Sequence, residues 1–570
     1  MLSIFKNIYH YVIVTLFLLI ISYLCYLSYL QTCYVSIQYA TDVSFFLKDN
    51  LLGNIVFTVL FIFTIYLFSK NKFINKIIKK INTNDKVFIA IKWIMLLLIG
   101  AFSFLWIYLG QILPEGDQAL ILEGVYALHN GNFAPFERGA YLERFPNQWG
   151  IMLIYYLVSF IFKNKFIFSL QLLNVISVVL IYKNLSEIAK FLKASYFIQL
   201  LIIFTAFTFP ILMIYCWFIY GNLLSMAFIL CSIKYELYYF NDYKIKNAFL
   251  SSIFLLIALL SKSFSMVYLI AMIIYALFKS INIKSIKTIS VIILYLLTFL
   301  FQNAFPKLYL QYRTGYPFDE GVSYISYIAM GMQEGPRAEG WHNKYNINTY
   351  YEVDMKTTAQ KELVICDIKQ SMENFVDNPS YAYKFYSRKT ASQWNNPTFE
   401  AFYGMDIEDD QGYHYRYESS YSLNHYLDGV LNLKFETKIQ EVLNIEQSII
   451  LFGCLLYIVL KGNKTFEDLL LPLAFVGGFL FLLLWEAKSQ YTLYFYPTLF
   501  IYSILGYKEL LYMDRNKFKV LIFYLVITFS LFALTMEKSL VIDNTKYDEY
   551  VSYGNSYEWF RNNKWFVWER

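Results

Sequence analysis

Charge is what this chain has least of. Only 16% of its 570 residues are Asp, Glu, Lys or Arg, against 58% hydrophobic, and that balance excludes a soluble multidomain protein of this length. The six cysteines (Cys25, Cys33, Cys216, Cys231, Cys366 and Cys454) lie mostly inside apolar runs without paired spacing, which excludes a disulfide framework and a zinc ribbon. The five histidines (His10, His129, His342, His414 and His425) show neither HxxxH nor HExxH, so zinc has no support. "GMDIEDDQGYHY" (404–415) alternates Asp406, Glu408 and Asp410 as a calcium loop would, but Gly412 comes one place late and the closing Glu is missing, so it reads as a solvated acidic turn. A net charge of +6, carried by lysines in short loops, points to orientation in a bilayer and not to nucleic acid. There is no internal repeat and no low-complexity linker. The N-terminal apolar run is too long for a signal h-region and no small-residue cleavage site follows it, so a retained first span is expected.

What is present is apolar and aromatic. Tyr and Phe number 53 each, more than packing alone suggests, and amphipathic rings favour the two bilayer interfaces. Apolar runs occur near 11–30, 51–68, 88–109, 149–162, 166–182, 196–216, 221–239, 247–261, 264–278, 285–303, 448–460, 468–485, 491–512 and 518–535. The segment "SKNKFINKIIKKINTNDK" (69–86) holds six Lys and one Asp, so it is expected on the cytoplasmic side. The shortest run, 149–162, would reach only about 21 Å as a helix. Removing it puts "KNLSEIAKFLK", "NDYKIKN", "KSINIKSIK", "KGNKTFED" and "MDRNKFK" on the cytoplasmic face and leaves "KNK" (163–165) outside. The expectation is an all-α polytopic membrane protein of about 13 transmembrane helices. Its parts are three spans within 1–109, a first large outer loop 110–165 with interfacial helices, central spans within 166–303, a mixed extracytoplasmic domain 304–447, four C-terminal spans within 448–535 and an outer tail 536–570.

Charge reappears where the first outer loop begins. Asp117 follows a glycine in "GDQALILEGVYALHNG", where Leu120, Ile121, Gly124, Val125 and Leu128 recur at helical spacing. It reads both as the N-cap of an interfacial helix and as a carboxylate held at the membrane edge as a base. The same loop carries Glu123, Glu137, Arg138, Glu143, Arg144, Pro146, Asn147 and Gln148. The arginines fit interfacial snorkelling or local ion pairs, and equally phosphate binding. Lys262 interrupts "LLIALLSKSFSMVYLIAMIIYALF", at the expected outer end of a span hairpin, where it can snorkel or meet a lipid phosphate.

Taken in order, "GDQ", "GAYLERFPNQWG", "MGMQEGPRAEGWHNKYN", "SRKTASQWNNPTFEAFYG" and "WEAKSQYTLYFYP" resemble the polytopic glycosyltransferases of the GT-C superfamily. The likeness is to the Gram-positive glycosyltransferase family 39-like, dolichyl-phosphate-mannose-protein mannosyltransferase-like branch, and it extends over most of the chain. It implies a hexosyl transfer, inverting, from a polyprenyl-phosphate (undecaprenyl-phosphate) carrier to a cell-envelope glycan, glycolipid or protein, at the outer face of a bacterial cell membrane. It implies Asp117 as the catalytic carboxylate and no nucleotide, metal or other cofactor. Gln118, Glu123, Arg138, Glu143, Arg144, Asn147, Gln148, Lys262, Trp341, Lys389, Trp394, Glu486, Lys488 and Tyr491 are then the substrate-binding candidates. Two departures stand out: Gln118 occupies a place where many relatives have a second acid, and Ser489-Gln490-Tyr491 replaces Ser-Arg-Tyr, which shifts the phosphate role toward Lys488. A lipid-linked sugar flippase or transporter, a polysaccharide polymerase or ligase, and a scaffold are the alternatives. A transport path would place ionisable groups mid-span, whereas here the charges gather at span ends.

Overall fold

The computed structural model describes residues 2–35, 44–110, 112–163, 165–283, 286–335, 337–403 and 433–535. The acidic segment 404–415 and the tail 536–570 lie outside them. Most of the described chain is helical. Among the described residues eight helices are long and apolar enough to cross a membrane: Asn7–Leu30, Leu51–Lys70, Asp85–Gly110, Phe166–Phe191, Asn222–Asp242, Ile289–Thr314, Lys438–Leu460 and Phe466–Leu484. The pair Tyr196–Thr208 and Ile211–Trp217, bent by 56°, makes nine if it is one span.

The expected count of thirteen is thus met only in part. Each of the thirteen runs contains a helix, but several fall short of a full crossing. Ile245–Ser261 has 17 residues, and the run at 491–512 divides into Ser489–Thr492, a turn and Leu499–Leu511. The run left out on length grounds is helix Trp149–Ile161, 13 residues and about 20 Å long.

Two domain edges also move. The helix that begins at Ile286 continues to Thr314 and stops at Gly315, whose φ is +74°, so the edge expected at 304 falls inside a helix. Likewise helix Leu433–Leu460 starts well before 448. Apolar runs mark only the part of a helix that needs a membrane, and helices continue past it where other protein covers them. Between these edges the described residues are helical (Tyr345–Glu352, Thr357–Asp377 and Pro379–Trp394 are the main elements), with no strand of the expected mixed character. The strands occur earlier, where Gln31–Val35 pairs antiparallel with Ser44–Lys48. That hairpin is sewn to the large domain by Cys33 N to Asn395 O (2.9 Å) and Ser44 N to Arg337 O (3.0 Å).

Three segments far apart in sequence meet at one end of the bundle. Val322 N donates to Arg144 O (2.9 Å), Ala487 N donates to Gly340 O (2.7 Å), and Arg138 donates to the Asp354 carbonyl. These three segments therefore lie at one end of the bundle. The lysine-bearing end carries its own ion pairs: Glu187 with Lys92 (3.0 Å) and Lys234 (3.2 Å), Asp468 with Lys461 (2.6 Å), and Glu467 with Lys279.

Helix contact in the bundle depends on small residues. Where Leu433–Leu460 crosses Leu499–Leu511, a Cβ on Gly506 would lie 1.9 Å from Gly453 O, and one on Gly453 would lie 2.3 Å from Ser503 Oγ. The backbones must part to admit any side chain there, and overpacking of this kind costs about 1–3 kcal/mol. Gly506→Leu is expected to lower the thermal midpoint of the detergent-solubilised protein, whereas Gly462→Ala, at a position with open space around it, serves as the control. An unchanged midpoint for Gly506→Leu would show that the crossing is looser than this.

Candidate active site

The site is built on a broken helix. Pro210 cannot donate to the backbone ladder, and the chain bends between Thr208 and Ile211, then unwinds after Trp217 into 218–221. Unpaired carbonyls in an apolar interior need partners. Helix Phe166–Phe191 supplies them from buried amides: Asn174 Nδ2 donates to Cys216 O (3.1 Å) and Phe218 O (2.9 Å), and Gln171 Nε2 to Ile112 O (2.9 Å). The unwound segment is thereby fixed. Gly221, with φ +81°, lets it approach the next turn so closely that a Cβ would lie 2.2 Å from Ser261 O. That approach puts Tyr220 under Lys262, whose Nζ is 3.5 Å from the centre of the ring.

Asp117 meets the same residue at its hydroxyl. The N-cap of helix Asp117–Asn130 is Gly116 (φ 52°, ψ −129°), with no side-chain cap bond, so the capping role expected of Asp117 is corrected. Asp117 is the first helical residue, in the turn where the helix's positive end favours a carboxylate. Its side chain, free of the cap, accepts from Tyr220 Oη at 2.9 Å. The next residue repeats the attachment: buried Gln118 accepts from Ile219 N through Oε1 at 2.8 Å. Gln148 Nε2 donates to Tyr220 Oη (2.7 Å), and Tyr141 Oη lies 3.4 Å from it. Tyr220 therefore holds a carboxylate on its hydroxyl and an ammonium on its ring face, the arrangement in which a cation gains from the ring quadrupole.

Burial pushes the Lys262 ammonium down to about 7, with Asp117 opposing and Lys488 adding to the shift. Lys262 thus lies within electrostatic reach of both Asp117 and Lys488. Lys488 sits 3.6 Å from Glu400, and Glu400 Oε1 also accepts from Ser489 N (2.9 Å) and Ser489 Oγ (2.6 Å). The large domain thereby positions the "AKSQ" turn. Buried Glu486 accepts from Tyr491 Oη at 3.3 Å. The phenol of Tyr327 is pushed up by burial and by the carboxylates of Glu486 and Asp117. A crevice of about 10 Å³ lies among these groups, lined by Lys262, Asn222, Phe264, Gln490 and Tyr491, room for about one water.

Of the candidate residues, Asp117, Gln118, Gln148, Lys262, Glu486, Lys488 and Tyr491 are brought together. The others are placed elsewhere. Glu123 and Asn147 are exposed. Arg138 is on the Asp354 carbonyl, and Arg144 lies over the rings of Phe145 and Tyr351 at 5.4 and 5.7 Å. Buried Glu143 accepts from Tyr350 Oη (2.8 Å) and Gly139 N (3.0 Å), which shapes its own loop. Trp341 Nε1 donates to Ser392 Oγ (2.8 Å), and Trp394 packs on Phe475 and Phe479. Lys389 is fully buried and donates to the carbonyls of Gly331 (2.5 Å), Leu483 (2.9 Å) and Trp485 (2.7 Å). It ties the large domain to the end of helix Phe466–Leu484. Among the described residues no group of three His, Cys, Asp or Glu side chains is disposed to hold a metal.

No protein-family model, curated protein or solved structure matches this chain. The reading of the site rests on its chemistry and on the sequence motifs. Tyr220 and Glu400 are the residues that the sequence reading missed. Tyr220 stands in "FIYGN", an aromatic before a Gly-Asn turn between two apolar runs, and Glu400 stands in "NNPTFEAF". A turn signal at a span end was the available clue for the first.

Proposed function

We propose that this chain is a membrane glycosyltransferase that moves a sugar from a polyprenyl-phosphate carrier to a cell-envelope acceptor, with inversion. The observation that carries the reading is the single aromatic ring bearing Asp117 on its hydroxyl and Lys262 on its face. In such a reaction the acceptor hydroxyl oxygen attacks the anomeric carbon as the bond from that carbon to the phosphate oxygen breaks. Positive charge develops on the sugar ring and negative charge on the leaving phosphate. Asp117 takes the hydroxyl proton, and Lys262 with Lys488 neutralises the phosphate. Gln118, Gln148 and Tyr220 hold the carboxylate in place. The donor's lipid stays in the bilayer, so the catalytic groups must lie at a bundle end, as these do. A transporter is disfavoured by the same placement: Glu236, fully buried in helix Asn222–Asp242, lies nearer the Asp242 end of that helix and away from the polar cluster.

On this reading the active end faces outward. Among the described cysteines Cys366 is exposed and the other five are buried, so the wild-type protein carries its own probe on helix Thr357–Asp377. An impermeant maleimide is expected to label Cys366 on intact cells. In a Cys366→Ser background, Asn75→Cys is expected to label only after the cells are opened. The reverse pattern would overturn the orientation and, with it, an outer-face reaction.

A further inference from the structure

The middle of the lysine-rich segment 69–86 is a helix of its own. Asn71 caps it by accepting from Phe73 N (2.9 Å) and Ile74 N (3.1 Å), and it runs Lys72–Thr83. Asn71 alone separates it from the apolar helix Leu51–Lys70, and Asn84 alone from Asp85–Gly110. A helix joined by single residues to two spans lies at the level where both leave the membrane.

Its sequence divides cleanly around the helix axis. Lys72, Lys76, Lys79, Lys80 and Thr83 share one face, and Phe73, Ile74, Ile77, Ile78 and Ile81 share the other. The bundle covers only part of the apolar face. Ile81 is buried against Phe88 and Leu200, and Asn82 Oδ1 accepts from Phe197 N at 2.9 Å, which fixes the rotation of the helix about its axis. Phe73 and Ile77 are left 71% and 43% exposed, next to the lysines. Those four lysines are exposed, with no acidic side chain on the helix.

An apolar strip of this kind at the level of a membrane surface, bordered by ammonium groups on one side, has the composition of an in-plane interfacial helix. We infer that Lys72–Thr83 is a binding surface for anionic lipid headgroups in the leaflet opposite the proposed active site. Phe73 and Ile77 enter the acyl boundary, and Lys72, Lys76, Lys79 and Lys80 meet the phosphates above them. The charge complementarity selects anionic over zwitterionic lipid. Each basic side chain near an anionic surface contributes about a fivefold factor in association.

The test uses the full chain in vesicles. In the Cys366→Ser background, Phe73→Cys carries a bimane, and Thr83→Cys, at the centre of the lysine face, is the control. The vesicles are phosphatidylcholine with a minor fraction of phosphatidylglycerol, and the acyl chains of one or the other lipid are brominated. Bimane at Phe73 is expected to be quenched well above bimane at Thr83. Brominated phosphatidylglycerol should reach the same quenching at a mole fraction about fivefold or more below that of brominated phosphatidylcholine. The advantage should shrink in high salt and vanish when all four lysines become glutamine, with quenching by phosphatidylcholine retained. Equal quenching by the two lipids would overturn the anionic preference. No quenching at Phe73 beyond the control would overturn membrane contact altogether, and bimane self-quenching that rises with protein density would assign the strip to a second copy of the chain instead.

Discussion

Asp117→Asn is expected to fold, insert and bind the lipid-linked donor, while turnover falls by about 10²–10⁴-fold, the usual contribution of a general base. The substitution keeps the size of the side chain and an oxygen that accepts from Tyr220 Oη, 2.9 Å away, and it removes the proton acceptor and its charge. Because Gly116 is the N-cap, Asp117 contributes to stability through the helix dipole, about 0.3–1 kcal/mol, and through the hydrogen bond it accepts from Tyr220 Oη, about 1.5–3 kcal/mol. Asp117→Ala forfeits both, so the chemical loss is read from Asp117→Asn. Tyr220→Phe leaves the ring under Lys262 but deletes the bond to the carboxylate; it should lie between wild type and Asp117→Asn in turnover, with donor affinity preserved. Glu123→Gln, exposed on the same helix, should be near wild type. The measurement is single-turnover transfer in proteoliposomes with lipid-linked donor in excess. Near-wild-type transfer by Asp117→Asn would remove the base and send the search to Glu486 and Glu400, the buried carboxylates of the same cluster.

The parts of this architecture that could be read in the sequence are those governed by the bilayer. Helices occur at every apolar run expected to span, because hydrocarbon admits little else, and the segments around 144, 322, 340 and 487 meet at one end of the bundle. That Asp117, Lys262 and Lys488 stand at one end of the bundle was legible for the same reason: a charge beside an apolar run has few places to go. What escaped was set by packing between distant segments. Nothing local says that Arg138 reaches the Asp354 carbonyl, or that Lys389 points inward to close three carbonyls, and both arginine and lysine were natural phosphate ligands on charge alone. Tyr220 was hidden among 53 tyrosines, and its role comes from a helix break and one close glycine contact. The capping role assigned to Asp117 failed by a single residue, because a glycine at positive φ ended the preceding turn.

Lys262→Ala is expected to weaken the use of donor by about 10–100-fold in kcat/KM, the range of one charge-assisted hydrogen bond to phosphate, and Lys262→Arg to recover part of it. The pH dependence separates a phosphate ligand from a lysine that merely snorkels. With its pKa held near 7 by burial, Lys262 is charged below that value and neutral above it. A cation that must meet the phosphate is therefore lost as pH rises, and kcat/KM for the donor should fall through about pH 7. Bound phosphate would stabilise the ammonium and raise its pKa, so the corresponding limb of kcat should lie at higher pH than that of kcat/KM. Arginine stays protonated throughout, and Lys262→Arg should flatten the descending limb even where its absolute rate is lower. Lys488 sits near Glu400, inside a charge pair that keeps it in place, and its like charge helps to lower the Lys262 pKa, so Lys488→Ala should lower donor affinity and move the limb to higher pH without flattening it. If Lys262→Arg shows the same descending limb as wild type, or Lys262→Ala leaves donor KM unchanged, the ammonium over Tyr220 is structural and the leaving phosphate must be met by Lys488.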